Sequence, residues 1–161
     1  MFKSKYVGIM ALIAFAMCIF LVRDSVAGEK GKVASRIDYL ATAVHTLKVP
    51  DMEEHIIWLI EAKGIYSSEK WGNALVYQIF TWDSIKGSGP CQGYDRWTFP
   101  DGSAIDQKWE GKVAGGSVEG PVTLLKGTGK FEGIQGKGKF KAQMLSADQY
   151  YGHQEIDYTL P

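Results

Sequence analysis

A carboxylate stands among apolar residues in IIWLIEAKG, residues 56–64. In an extended strand Glu61 shares a face with His55, Ile57 and Leu59. If that face is buried, desolvation disfavours the charged form and raises the carboxyl's pKa, which suits it to move a proton or to bind the polar head of a ligand. The alternative is that Glu61 points outward beside Lys63, or pairs with a cation on the next strand. Aromatic residues supply a second candidate chemistry. Trp58, Tyr77, Phe80, Trp82, Tyr94, Trp97, Phe99 and Trp109 crowd the first part of the chain after the leader, and such side chains either form plain core or wall an apolar pocket oriented by a few polar groups. The candidate ligand-binding set is His55, Trp58, Glu61, Tyr77, Trp82, Tyr94 and Trp97, with Glu61 as the candidate catalytic residue and His55, Glu61 or Tyr94 as polar anchors.

Other chemistries find less support. GIQGKGKF (133–140) approaches a phosphate-binding loop, but Phe140 stands where a hydroxyl must ligate Mg²⁺, and the residues after it alternate like a strand instead of opening a helix. GTGKFEG (127–133) misses the dinucleotide fingerprint, because Glu132 occupies the place of the third glycine. These glycines suit turns, bulges and sharp corners instead. No cofactor is expected. His45, His55 and His153 lie in three separate segments with no close pair, so no metal site is expected either. Acids such as Asp83, Asp95 and Asp106 are scattered, and sequence spacing alone cannot give the separation that paired-carboxylate chemistry needs. Cys91 has no local histidine or cation pair to lower its pKa and reads as an unreactive loop thiol.

The leader bounds the compartment. Lys3 and Lys5 precede an apolar run over residues 6–22, and Ser25 and Ala27 are small residues placed as in an export cleavage site. Residues 1–27 read as a signal peptide cut after Ala27. The run is also close to membrane-spanning length, so an uncleaved anchor is the competing reading, and either implies a periplasmic or secreted domain over residues 28–161. A membrane enters only through that segment. Cys18 lacks the neighbours of a lipidation site, which leaves Cys91 alone and rules out an internal disulfide. Without Lys3, Lys5, Arg23 and Asp24 the 18 basic and 18 acidic residues become 15 and 17. That balance speaks against a nucleic-acid partner, which a basic stripe would attract.

The elements that must position these side chains are strands. From about residue 54 the hydrophobic period is two, punctuated by glycine turns. HIIWLIEAKGIYS, NALVYQIFTWDS, YDRWTFPDGS, AIDQKWEGKV, VEGPVTLLKG, KGKFKAQML and QYYGHQEIDYTL make seven strands. Alternation places Ile105, Gln107 and Trp109 on one buried face, with Phe140, Ala142 and Met144, and Ile156, Tyr158 and Leu160, on others. Asp101-Gly102 suggests a type I′ hairpin, and IIWLI, apolar on both faces, suggests a strand covered outside as well as inside. Residues 33–49 fit a helix through Val33, Ile37, Leu40, Val44 and Leu47. Their β-branched content favours an eighth strand, with Val33, Ile37, Tyr39, Ala43 and Leu47 on one face. Eight antiparallel strands can close into a single all-β barrel, either filled or holding one small ligand.

The series VPDMEEH (49–55), KGIY (63–66), WDSIKGSG (82–89), GYDRWTFPDGS (93–103), KWEGKV (108–113) and GTGKFEGIQGKGKF (127–140) resembles exported bacterial proteins without an assigned activity. The GTGKF-x-GI-x-G turn is similar to one in the allene oxide cyclase and dirigent barrels. The resemblance implies an eight-stranded, calycin-like barrel, and isomerisation or cyclisation as chemistry such a scaffold can host. The expected function is a binding module for a small apolar ligand. The alternatives are an isomerase or cyclase using an interior carboxylate, and an interaction protein anchored by its N-terminal segment.

Overall fold

The computed structural model describes residues 28–161, and the leader, with Cys18, lies outside them. Eight strands follow one another: β1 (Glu29–Lys48), β2 (His55–Ser68), β3 (Gly72–Ile85), β4 (Gly89–Thr98), β5 (Ala104–Ala114), β6 (Ser117–Thr128), β7 (Gln135–Met144) and β8 (Gln149–Leu160). Each pairs antiparallel with the next, and β8 pairs with β1, so the sheet closes into a barrel with no free edge. A 3-10 turn, Gly129–Phe131, links β6 to β7. The segment over residues 33–48 is thus strand, with Val49 just past its end, and its β-branched residues suit the pleat.

One bulge reshapes β1. Ala41 pairs with Ala62 and Ala43 with Glu61, so Thr42 is an extra residue in the ladder. The insertion reverses the alternation beyond it. Val33, Ile37 and Tyr39 face inward as expected, but Ala43 and Leu47 turn out and Val44 takes the inward position opposite Ile60. The Asp101-Gly102 turn also differs from expectation. Only Gly102 has positive φ, and its N–H donates to the Phe99 carbonyl across Pro100-Asp101, while the Asp101 carboxylate accepts from the Ser103 N–H. A type I′ turn needs two positive φ angles, whereas Pro100 sets the negative φ of an ordinary turn. The outward Leu59 and Ile65 are exposed, so no described element covers β2 on the outside.

The glycines near 127–138 do two jobs. Gly129, the first residue of the 3-10 turn, and Gly133, just past its end, take positive φ, 61° and 76°. Gly138 lies in mid-strand, where a Cβ would sit 1.9 Å from the Glu155 carbonyl oxygen of β8.

The two ends of the barrel differ. At one end Trp97 stacks on Tyr66 with ring centroids 4.4 Å apart, and Trp71, Phe99, Phe131 and Tyr158 pack edge-on or tilted around them. The other end carries the turns β1–β2, β3–β4, β5–β6 and β7–β8, and the interior there is hollow.

Candidate functional site

The site begins with strand alternation in β4. Cys91, Gly93, Asp95 and Trp97 face inward, as does Phe99 just past the strand's end, and one of them is a carboxylate. Asp95 is 3 % exposed. A buried charge survives only if its lone pairs are occupied, and each Asp95 oxygen accepts two hydrogen bonds. Gln78 Nε2 of β3 (2.8 Å) and Trp109 Nε1 of β5 (3.1 Å) donate to Oδ1. Tyr39 Oη of β1 (2.9 Å) and Gln107 Nε2 of β5 (2.7 Å) donate to Oδ2. Tyr150 Oη of β8 donates to Gln78 Oε1 over 2.6 Å, and its ring stacks on Tyr39 with centroids 4.8 Å apart. The polar layer therefore ties five strands together across the barrel.

Among the described residues no lysine or arginine forms an ion pair with Asp95. Burial pushes its carboxyl above the ordinary range, against the pull of Gln78, Gln107, Trp109 and Tyr39. Burial likewise holds the Tyr39 and Tyr150 hydroxyls protonated, and the nearby Asp95 charge adds to the effect.

Above this layer lies a cavity of about 380 Å³, within the range of small-molecule sites. Asp95, Gln78, Gln107 and Gln154 form its polar floor, and Phe80, Trp82, Trp109, Phe140, Trp58 and Tyr150 supply most of the aromatic wall. Among the described residues, Asp95 is the only Asp or Glu in the lining. Trp58 and Trp82 face each other in register, stacked at 5.7 Å, and neither indole N–H has a partner.

The sequence-derived candidates separate by position. Trp58 and Trp82 line the cavity. Trp97 does not, because it fills the opposite end against Tyr66. Glu61, Tyr77 and Tyr94 are on the outer surface: the inward residue of β2 is the fully buried Ala62, and Tyr77 Oη donates to Glu61 Oε2 outside the barrel. The apolar residues around Glu61 were misleading because β2 is apolar on both faces. His55 sits at the rim, clamped between Asp51 (Nδ1, 2.6 Å) and Asp83 (Nε2, 2.8 Å), and the two carboxylates raise its pKa. Cys91 is in β4 instead of a loop. It is buried in the cavity wall, and burial pushes its thiol up to about 11.

The floor was missed as a site. Asp95 stood in the sequence only as one scattered acid, although the alternation C-x-G-x-D-x-W-x-F puts it on an apolar strand face and could have singled it out. Tyr39, Gln78, Gln107 and Gln154 belong to four other strands, and nothing local joins them. Among the described residues no three metal-ligating side chains converge.

No protein-family model and no curated protein matches the chain. Among solved structures, the barrel is similar to a protein of unknown function from Clostridium acetobutylicum ATCC 824, at TM-score 0.55 and 15% identity, covering 83% of this chain and 97% of that one. It is also similar to the pterocarpan synthase dirigent protein GePTS1, at TM-score 0.52 and 13% identity, covering 83% and 89% respectively. The fold is the eight-stranded dirigent-like barrel, and at this identity the likeness concerns the fold alone.

Proposed function

We propose that this barrel is a binding module for one small, mostly apolar molecule, held against the aromatic wall with its polar end at the floor. The observation that carries the reading is the half-hollow interior: bulky rings fill one end of the barrel, while at the other a cavity of about 380 Å³ has polar groups only at defined points. Protein purified from its own host should release a co-purifying small molecule in native mass spectrometry. The substitution Ala142→Phe, which places a ring into the cavity from β7, should abolish its retention while the barrel stays folded. Protein that carries nothing and takes up no apolar probe would overturn the reading.

A second reading is an isomerase or cyclase, favoured by a single feature, the carboxylate in the cavity wall. Asp95 takes the part that Glu61 cannot take from outside. With its four lone-pair positions engaged, Asp95 serves best as a fixed negative charge beside positive charge developing on a bound molecule, and less well as a base. Asp95→Asn should then suppress turnover while binding persists. Export of the domain, with removal of residues 1–27, belongs to the same proposal, and N-terminal sequencing of the mature protein tests it.

A further inference from the structure

Two buried amides at the cavity floor have hydrogen-bonding atoms without a partner. Gln107 is 2 % exposed and Gln154 5 %, and both line the cavity. The orientation of Gln107 is set by its neighbour. Asp95 is an acceptor, so the Gln107 amide must turn its nitrogen toward it, and Nε2 donates to Asp95 Oδ2 over 2.7 Å. The same Nε2 lies 3.4 Å from Gln154 Oε1, which orients the second amide in turn. This relay leaves Gln107 Oε1 as an unused acceptor and Gln154 Nε2 as an unused donor, both buried and both without a partner. Buried polar atoms are almost always paired, and each exception calls for an explanation.

Resting on the binding reading above, we infer that Gln107 and Gln154 are the recognition point for a neutral group that donates and accepts at once, a hydroxyl or the N–H and C=O edge of a cyclic amide, carried on an apolar ring system. Neither atom has open surface on the cavity as it stands, so the two side chains shift toward the group as it binds, Gln107 Oε1 accepting from it and Gln154 Nε2 donating to it. The Asp95 carboxylate behind Gln107 selects against a ligand carboxylate, since like charges in a low-dielectric site repel. The ring system of the ligand lies against Trp109, Phe80 and Phe140 above. Asp95 acts here as a positioning residue, since it fixes the amide that makes the contact.

A set of probes with one bicyclic skeleton tests the assignment by quenching of the cavity tryptophans: naphthalene, 2-methoxynaphthalene, 2-naphthol, 2-naphthoate and isoquinolin-1(2H)-one. The expected order has 2-naphthol and isoquinolinone tightest, 2-methoxynaphthalene weaker by roughly tenfold because it cannot satisfy Gln107 Oε1, and 2-naphthoate weakest. Among the described residues the one side-chain hydrogen bond of Gln154 is with Gln107, so Gln154→Leu should fold, still bind naphthalene, and lose much of the preference for 2-naphthol over naphthalene. Equal affinity for 2-naphthol and 2-methoxynaphthalene in the unmodified protein, or an unchanged 2-naphthol preference in Gln154→Leu, would overturn the inference while leaving an apolar binding site intact. Saturable binding by none of the probes would overturn the binding reading itself, and this inference with it.

Discussion

Tyr39 and Asp95 meet across the barrel through a 2.9 Å hydrogen bond, although they lie on β1 and β4, which are not neighbours in the sheet. The contact is one of four that converge on the carboxylate, and together they divide the interior into a filled half and a hollow half.

Removing the acceptor strands its donors. Asp95→Ala leaves Tyr39, Gln78, Gln107 and Trp109 with buried, unpaired groups, and we expect a loss on the order of 3 kcal/mol in urea unfolding, offset in part by relief of the buried charge. Asp95→Asn keeps one acceptor oxygen and should cost less. Equal stability of the Ala variant and the unmodified protein would contradict the floor as described.

The rim has a pH dependence of definite sign. His55 bridges Asp51 and Asp83, and both carboxylates raise its pKa above the ordinary histidine value. A group whose folded pKa is raised contributes stability that is fully present below the unfolded pKa, about 6.5, and is lost as pH rises through the folded value. The β1–β2 turn, held also by the Val49 N–H on the His55 carbonyl and the Lys86 N–H on the Glu54 carbonyl, should therefore loosen as the pH rises through that folded value. An NMR titration of His55 should give a midpoint above 6.5, and Asp83→Asn should lower it. A midpoint at or below the ordinary value would remove the clamp from consideration.

Close approach of β7 to β8 depends on Gly138. A methyl group there meets the Glu155 carbonyl at 1.9 Å, and backbone cannot yield as a side-chain tip can. Gly138→Ala should cost about 2 kcal/mol or more in thermal or urea unfolding.

Outer and inner candidates should part company under substitution. Glu61→Gln and Tyr94→Phe act on the exterior and should leave naphthalene affinity unchanged and stability within about 0.5 kcal/mol. Trp82→Leu removes part of the cavity wall and should weaken naphthalene binding by about tenfold. The reverse pattern, measured by tryptophan fluorescence or NMR, would relocate the site to the surface.

Cys91 offers a simple reporter. With the thiol buried and its pKa near 11, almost none is thiolate at neutral pH, so a disulfide reagent should label the folded protein far more slowly than the urea-unfolded chain. Fast labelling of folded protein would place Cys91 outside the cavity wall.

Much of the architecture was present in local pattern. Period-two alternation marks the seven later strands, Phe140 excludes a phosphate loop by opening the F-x-A-x-M face of β7, and eight strands in sequence favour closure. Alternation cannot say which of two apolar faces points inward, and that is why IIWLIEAKG left both placements of Glu61 open until the register turned it outward. Nor does it reveal an inserted residue such as Thr42, whose bulge sends Leu47 outward and Val44 inward.

By itself, then, the sequence determined the type and order of the strands, because side-chain period and turn chemistry act over a few residues. Tertiary structure decided the site. Barrel closure brings Tyr39, Gln78, Asp95, Gln107 and Gln154 together from five strands, and the register of each ladder sets whether rings meet and fill the interior, as at Tyr66 and Trp97, or stand apart around a cavity, as at Trp58 and Phe140. Those are distances between segments far apart in the chain, and no local spacing encodes them.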